Sequence, residues 1–227
     1  MGREWSAPLG TQTTHSEMAT LLACIAMVLG LATLVLAVLL RRARADKKQL
    51  QRYVAKLQGA EQSLKKHAFF DPLTGLPNRL LLVDRFQLAL QHAKRNQQQF
   101  AVLMVDLNKF KAINDTFGHA AGDTVLVTVA QRLVSVVRAS DTVARLGGDE
   151  FVLIIHSVSE RKPVLALGRK LMDLLAQPVT LETGTVVSLG GSIGFAWYPS
   201  DGDNLKDILE VADQAMYFCK TSGLMPL

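Results

Sequence analysis

The apolar and polar positions divide the chain into a long uncharged run near the N-terminus and a region in which helix-like and strand-like patterns alternate. Residues 18–40, MATLLACIAMVLGLATLVLAVLL, carry no charged side chain, and a membrane-spanning helix needs about 20 apolar residues. The basic cluster RRARADKK at 41–48 follows this run, which by the positive-inside rule places the C-terminal side in the cytoplasm. The pattern therefore predicts a short tail at 1–17 and a single transmembrane helix at 18–40.

The next segment, 41–69, has the spacing of a helical linker. Leu50, Leu57 and Leu64 recur every seven residues, with Val54 at an intervening position. Such a repeat is typical of a short parallel coiled coil that would dimerise the chain. A solvated linker helix explains the same residues without a partner, and both interpretations stay open.

The region from residue 70 to 227 alternates between the two periodicities after the turn-rich stretch DPLTGLPNR. The segment 108–122 is polar and interrupted by glycine, and it is assigned no element. This order predicts an α/β sandwich of the α+β kind, with a ferredoxin-like, polymerase-palm arrangement. The predicted elements are helices at about 78–95, 123–137, 160–176 and 204–220, and strands at 100–107, 142–146, 151–156 and within 185–199.

One short stretch, RLGGDEF at 145–151, combines a glycine turn with two adjacent acids. A hairpin alone accounts for Gly-Gly-Asp, but two neighbouring carboxylates repel each other and a cation lowers that cost. Asp106 ends the buried strand FAVLMVDL, where a carboxylate is costly unless it is paired or bound to metal. In a palm-like fold Asp106, Asp149 and Glu150 converge, and such oxygen ligands suit Mg²⁺ together with phosphate oxygens.

Charge and composition exclude several other classes. The net charge of +5 is concentrated beside the apolar run, so it favours a membrane flank and no nucleic-acid partner is expected. Cys24 and Cys219 suggest no disulfide framework. The sequence has no P-loop, no GxGxxG motif and no cluster with zinc-ligand spacing. Phosphate chemistry in this chain would therefore depend on carboxylates and a metal.

Three motifs together resemble the GGDEF family of diguanylate cyclases over about residues 68–223. They are DPLTGLPNR, then DLNKFKAINDTFGHAAGD, then RASD followed five residues later by GGDEF, in the order and spacing of the family. The resemblance implies a homodimer whose two facing domains each hold one GTP. Together with the apolar run, it places the protein at the bacterial inner membrane. It implies condensation of the two GTP molecules into cyclic di-GMP, with release of two pyrophosphates.

The resemblance also implies roles for individual residues. Glu150 matches an acid needed for activity, and Gly147 and Gly148 let the nucleotide approach the backbone. Asn114 and Asp123 match the residues that bind guanine, while Phe110, Lys111 and Lys220 match phosphate contacts. The expected ligands of Mg²⁺, with Mn²⁺ as an alternative, are Asp106, Asp149 and the backbone carbonyl of Leu107. Singly, Asp123 would also suit a helix cap and Asn114 a turn.

Arg138 and Asp141 form an RxxD motif that resembles the family's inhibitory product site. A surface Arg–Asp pair is the simpler alternative. Arg169 or Lys170 would supply a second basic contact, and the sequence does not choose between them.

The C-terminus departs from the family pattern. Leu224 stands where an arginine is usual, and the final strand is not found. This departure puts activity and stability in question. It keeps open an alternative function, a non-catalytic receptor for cyclic di-GMP or GTP.

Overall fold

The structure is a computed structural model that describes residues 11–222, apart from the side chains of 11–16, 58, 61, 62 and 65. The chain divides into two units, residues 1–62 and 63–227. Most of the predicted tail, and Leu224 with the predicted loss of the final strand, lie outside the described residues.

Helix α1, Thr11–Phe69, contains the described part of the first unit. Both the predicted membrane segment and the predicted stalk fall within this helix. Its segment Glu17–Leu57 is long and apolar enough to cross a membrane, with a mean hydropathy of 2.8 in an 18-residue window. The heptad residues Leu50, Leu57 and Leu64 are 65%, 69% and 71% exposed. These three side chains form an exposed apolar stripe on the helix.

The second unit alternates helices and strands much as the sequence predicts. Helices at 78–95, 160–176 and 204–220 and strands at 100–107, 142–146 and 151–156 are confirmed to within a few residues. The elements are α2 (Arg79–Asn96), β1 (Gln99–Asn108), α3 (Phe110–Phe117), α4 (His119–Val136), β2 (Thr142–Gly147), β3 (Glu150–Val158), α5 (Arg161–Leu175), β4 (Val179–Thr180), β5 (Val186–Val187), β6 (Gly190–Tyr198) and α6 (Leu205–Ser222).

The main sheet of the described residues has the strand order β2-β3-β1-β6, and its neighbouring strands are antiparallel. Helices cover both faces, which confirms the α+β sandwich. Strand β1 is central and buried on both faces, which explains its unbroken apolar run. One face of β1 packs on α4 and α5 through residues such as Leu103, Val105, Val129, Leu133 and Leu171. The other face packs on α2 and α6 through residues such as Val102, Phe86, Leu82, Ile208 and Ala212.

The polar segment after β1 differs from the prediction, because it holds α3 and the first turn of α4. The buried residues of α3 are Phe110 and Ile113, which are three positions apart. Polar residues surround them in the sequence, so the apolar pattern is too short to be recognised. Lys109 (φ 64°) and Gly118 (φ 83°) have left-handed or positive φ at the two helix boundaries. Helix α4 therefore begins four residues earlier than predicted. Asp123 lies inside it, and the helix-cap interpretation of Asp123 is wrong.

The segment 185–199 also differs, because it forms two strands in different sheets. Strand β5 pairs with β4 in a small hairpin that the sequence analysis missed. Strand β6 begins at Gly190 and pairs with β1. Two-residue strands carry too little periodicity to be recognised from sequence.

Candidate active site

The expected catalytic acids meet at one end of the main sheet. Asp106 near the end of β1 is the register partner of Glu150, the first residue of β3. Gly148 and Asp149 form the two-residue turn between β2 and β3. The pairing of the central strand β1 with the β2–β3 hairpin therefore brings Asp106, Asp149 and Glu150 to the same end of the sheet, as the palm-like arrangement predicts.

The backbone conformation of the turn favours glycine at both of its glycine positions. Gly147 has a φ of 149° and Gly148 a φ of 54°, values that L side chains rarely adopt. No described atom beyond the chain neighbours lies within 4 Å of a Cβ built at either glycine. The turn is thus open on its outer side, where the resemblance places the nucleotide.

Glu150 lies in a region of negative potential. Burial raises the pKa of Glu150, and the carboxylates of Asp149, Asp106 and Asp213 raise it further, against the opposing charge of Arg79. Among the charges that act on Glu150, the three carboxylates therefore outweigh Arg79. Such a donor set fits a divalent cation, which would lower the repulsion between the acids.

The acids are not already arranged around a cation position. Within the described residues, no three His, Cys, Asp or Glu side chains form a metal-holding group. The Asp106 carboxylate instead accepts a hydrogen bond from Lys220 Nζ, with 2.6 Å between Nζ and Oδ1. The Leu107 side chain is a buried hydrocarbon without a donor atom, so its backbone carbonyl is the only metal ligand that this residue can offer.

The residues expected to bind guanine lie on α3 and α4. Asn114 Oδ1 is buried and has no hydrogen-bond partner among the described residues. Because an unsatisfied buried acceptor is costly, a ligand N–H that reached it would gain affinity. A Cβ at Gly122 would collide with this amide, and Asp123 next to it is exposed. The atom left without a partner is the acceptor oxygen of this amide, which suits an N–H donor on the base.

The expected phosphate contacts Phe110 and Lys111 begin helix α3. The N-cap residue Lys109 makes no side-chain hydrogen bond to the helix, so the first backbone N–H groups of α3 lack a side-chain cap. Free N–H groups at a helix N-terminus attract anions. Phe110 is buried and Lys111 is exposed, so the backbone is what Phe110 can present to a phosphate.

Arg145 supports the turn, and sequence reasoning did not identify it. Its Nε and NH2 groups donate to the Gly148 carbonyl at 3.1 and 2.7 Å. Its NH1 group donates to both carboxylate oxygens of Asp71 at 3.0 and 3.1 Å. Asp71 also accepts bonds from the Thr74 N–H and hydroxyl. The only sequence signal was the position of Arg145 in RLGGDEF and of Asp71 in DPLT.

The electrostatics of Asp71 match this arrangement. Burial alone would raise the pKa of Asp71, but the hydrogen bonds from Thr74 and Arg145 outweigh burial and hold that pKa below its ordinary value. The ionised carboxylate is therefore the form that this contact requires.

Arg138 and Asp141 come just before strand β2, whereas the Gly148–Asp149 turn comes just after it. The Asp141 carboxylate accepts bonds from the backbone N–H groups of Arg138 and His156, each at 3.0 Å. No ion pair joins the Arg138 and Asp141 side chains among the described residues, so the surface-pair alternative is not what the structure contains. Arg138 is exposed and lines a cleft of about 670 Å³.

Other basic groups line this region. Arg85 lines the same cleft, while His92 and Arg95 line a neighbouring cleft of about 660 Å³. Burial lowers the pKa of His156, which lines both clefts, and the positive potential of His92 adds to this effect against the opposing charge of Asp141. The two candidates for a second basic contact, Arg169 and Lys170, are exposed on α5 and line neither cleft.

Comparison with known proteins gives one family over most of the chain. The family model described as diguanylate cyclase, GGDEF domain, matches residues 68–225. The chain is 41% identical over 214 residues to the bifunctional diguanylate cyclase/cyclic di-GMP phosphodiesterase MucR of Pseudomonas aeruginosa, covering 94% of this chain and 30% of MucR. It is 41% identical over 172 residues to the diguanylate cyclase TpbB of the same species, covering 76% of this chain and 40% of TpbB. The chain thus spans less than half the length of these relatives.

Solved structures show the same fold. The GGDEF domain of TpbB is similar with a TM-score of 0.65 at 42% identity, covering 67% of this chain and 89% of that structure. The coiled coil and GGDEF domain of DgcB from Caulobacter crescentus, in complex with c-di-GMP, gives a TM-score of 0.70 at 26% identity, covering 79% and 95%. Because the family model matches residues 68–225, well over half of the chain, the chain belongs to the diguanylate cyclase GGDEF domain family.

Proposed function

We propose that this protein is a membrane-anchored, Mg²⁺-dependent diguanylate cyclase that condenses two GTP molecules into cyclic di-GMP and releases pyrophosphate. The observation that carries the proposal is the meeting of Asp106 with the Gly148–Asp149 turn and Glu150 at one end of the sheet. This geometry joins a candidate metal site to an open turn that a nucleotide can approach.

The chain's own residues divide the work of binding. Asn114 and Asp123 select guanine, since a buried acceptor and an exposed carboxylate both suit the N–H donors on its Watson–Crick edge. The N-terminus of α3, at Phe110 and Lys111, receives the terminal phosphates. The glycine turn leaves room for the α-phosphate, and Glu150 lies beside it as the acid needed for activity.

Asp106, Asp149 and the Leu107 carbonyl would hold the metal ion. Bound Mg²⁺ would polarise the α-phosphate and favour ionisation of the attacking 3′-hydroxyl. The pKa of Glu150, raised by burial and then by the carboxylates of Asp149, Asp106 and Asp213, supports this assignment, because a cation would lower the repulsion between these acids.

The reaction requires two GTP sites that face each other, so the active form is a homodimer. The exposed Leu50, Leu57 and Leu64 stripe supports a parallel coiled coil that brings two domains together. The apolar part of α1 supports an anchor at 18–40 in the bacterial inner membrane. Arg138 and Asp141, beside their cleft, support a site where the product inhibits the enzyme.

The test uses the full chain in detergent with GTP and Mg²⁺, and the products are separated by chromatography. The parent should form cyclic di-GMP, and the Asp149→Ala, Glu150→Ala double variant should form none. Asp115→Ala, which changes an exposed acid on α3, is the matched control.

The alternative function, a non-catalytic receptor for cyclic di-GMP, predicts a different result. A folded parent would then form no product and would still bind cyclic di-GMP. Arg138→Ala would abolish that binding, and the double variant would keep it. The cleft beside Arg138 supports binding of cyclic di-GMP under either function, and the product assay separates the two.

A further inference from the structure

Lys220 makes a contact that the proposed reaction does not use. Its Nζ atom lies 2.6 Å from Asp106 Oδ1, and the two residues are 114 positions apart in the chain. The Lys220 side chain is 45% exposed and the Asp106 side chain only 13% exposed. A long flexible cation at the surface thus reaches into the site and covers the oxygen of a carboxylate that the proposed function assigns to the metal.

The position of Lys220 is set by the packing of α6 on the sheet. A Cβ at Gly194 in β6 would collide with the backbone of Ala212 and Met216, so this glycine lets α6 lie close against the strand. Met216 and Cys219 on the same helix are buried. The helix is therefore fixed along its apolar face, and the Lys220 stem begins from a defined point beside the acids.

The charge balance explains why a cation is stabilising there. Asp106, Asp149 and Glu150 lie at the same end of the sheet, so three carboxylates are close together there. Lys220 is the cationic side chain that the described structure places in direct contact with one of these carboxylates. An ammonium and a divalent ion repel each other and compete for the same carboxylate lone pairs.

We propose that Lys220 is a built-in counter-cation that holds the Asp106 carboxylate in the metal-free protein and is displaced when a divalent ion binds. This inference rests on the proposed metal site. Lys220 is a positioning residue in this role, because it acts through Asp106. Metal binding then releases the ammonium next to the place where the nucleotide phosphates are expected, so the metal and the phosphate contact are coupled.

The experiment measures binding of Mg²⁺ alone to the full chain in detergent by calorimetry, without nucleotide. Lys220→Met should bind Mg²⁺ about fivefold more tightly than the parent, because the metal no longer displaces an ammonium. Lys220→Arg keeps the charge and should stay within about twofold of the parent. Lys206→Met, which removes an exposed lysine from the first turn of the same helix, is the control for net charge.

A second readout is thermal unfolding with EDTA and with Mg²⁺. Lys220→Met should unfold at a lower temperature than the parent in EDTA, and Mg²⁺ should raise its Tm more than it raises the parent's. Equal or weaker Mg²⁺ binding by Lys220→Met would overturn the proposal. Equal tightening by Lys206→Met would also overturn it, because the effect would then be long-range charge rather than contact.

The proposed function is tested separately, because cyclic di-GMP formation does not enter this experiment. If the parent forms cyclic di-GMP but Lys220→Met leaves Mg²⁺ affinity unchanged, only the counter-cation role fails. If no variant binds Mg²⁺, the counter-cation role is wrong, whereas formation of cyclic di-GMP by the parent with GTP and Mg²⁺ would still support the proposed function.

Discussion

The contact between Asp71, Arg145 and the Gly148 carbonyl gives the sharpest stability prediction. Arg145 donates to both oxygens of Asp71 and twice to Gly148, and its backbone N–H donates to the Pro77 carbonyl at 2.9 Å. The side chains of Arg145 and Asp71 are only 11% and 18% exposed. One guanidinium therefore joins the turn that carries the acids to the segment that follows α1.

The change Asp71→Asn removes the charge and keeps the shape. It weakens charge-assisted hydrogen bonds and leaves the Arg145 guanidinium partly buried without a counter-ion. Hydrogen bonds to charged groups contribute about 1.5–3 kcal/mol, so we expect a loss of about 2–3 kcal/mol. For a domain of this size, that loss lowers the Tm by about 4–12 °C.

The assay is thermal unfolding of the full chain in detergent at neutral pH, followed by near-UV circular dichroism. Asp84→Asn, which changes an exposed acid on α2, should stay close to the parent. If Asp71→Asn unfolds together with the parent and the control, the reasoning about this contact is refuted.

The pH dependence of the same variant gives an independent check. The pKa of Asp71 is lowered in the folded state, so its contribution is fully present above its ordinary value of 3.8. The contribution is lost as the pH falls through the lowered folded-state pKa. The difference in stability between the parent and Asp71→Asn should therefore be constant near neutral pH and narrow only in strong acid.

Three further predictions concern the turn, the guanine site and the product site. Glu150→Gln should raise the Tm of the metal-free protein by about 1–3 °C at neutral pH. The pKa of Glu150 is raised in the folded protein, so its ionised form costs stability above the folded-state pKa. The gain in Tm should therefore vanish below the ordinary pKa of 4.5. A lower Tm for the variant at neutral pH would contradict this. Gly122→Ala should raise the KM for GTP about tenfold by displacing the Asn114 amide, and an unchanged KM in steady-state kinetics would show that the amide does not contact the base. Arg138→Ala should weaken inhibition by added cyclic di-GMP about tenfold or more, without loss of turnover in its absence, and retained inhibition would remove Arg138 from the product site.

Much of the fold could be predicted because its strongest signals are periodic. The unbroken apolar run of β1 and the amphipathic helices α2 and α6 each produce a pattern that burial on a sheet requires. Helix α3 could not be predicted in this way. It has eight residues, and only Phe110 and Ile113 are buried, which is too short a pattern to separate it from a polar loop.

The turn glycines and the adjacent acids Asp149 and Glu150 could be predicted because one hairpin carries them all. Asp106 joins them through the pairing of β1 with β3, in which Asp106 and Glu150 are register partners. The small residues Gly122 and Gly194 had no readable signal, because their role is to leave space for Asn114 and for α6.

The sequence by itself determined the apolar N-terminal helix, the order of the elements and the acids of the turn, because these follow from local pattern and spacing. Only the tertiary structure decided that Arg145 holds Asp71 and the Gly148 carbonyl, and that Lys220 reaches Asp106. The ion pair of Arg145 with Asp71 joins residues 74 positions apart, and that of Lys220 with Asp106 joins residues 114 positions apart. Charges so distant in sequence meet only when the sheet and its helices have packed, so no local pattern records which cation pairs with which acid.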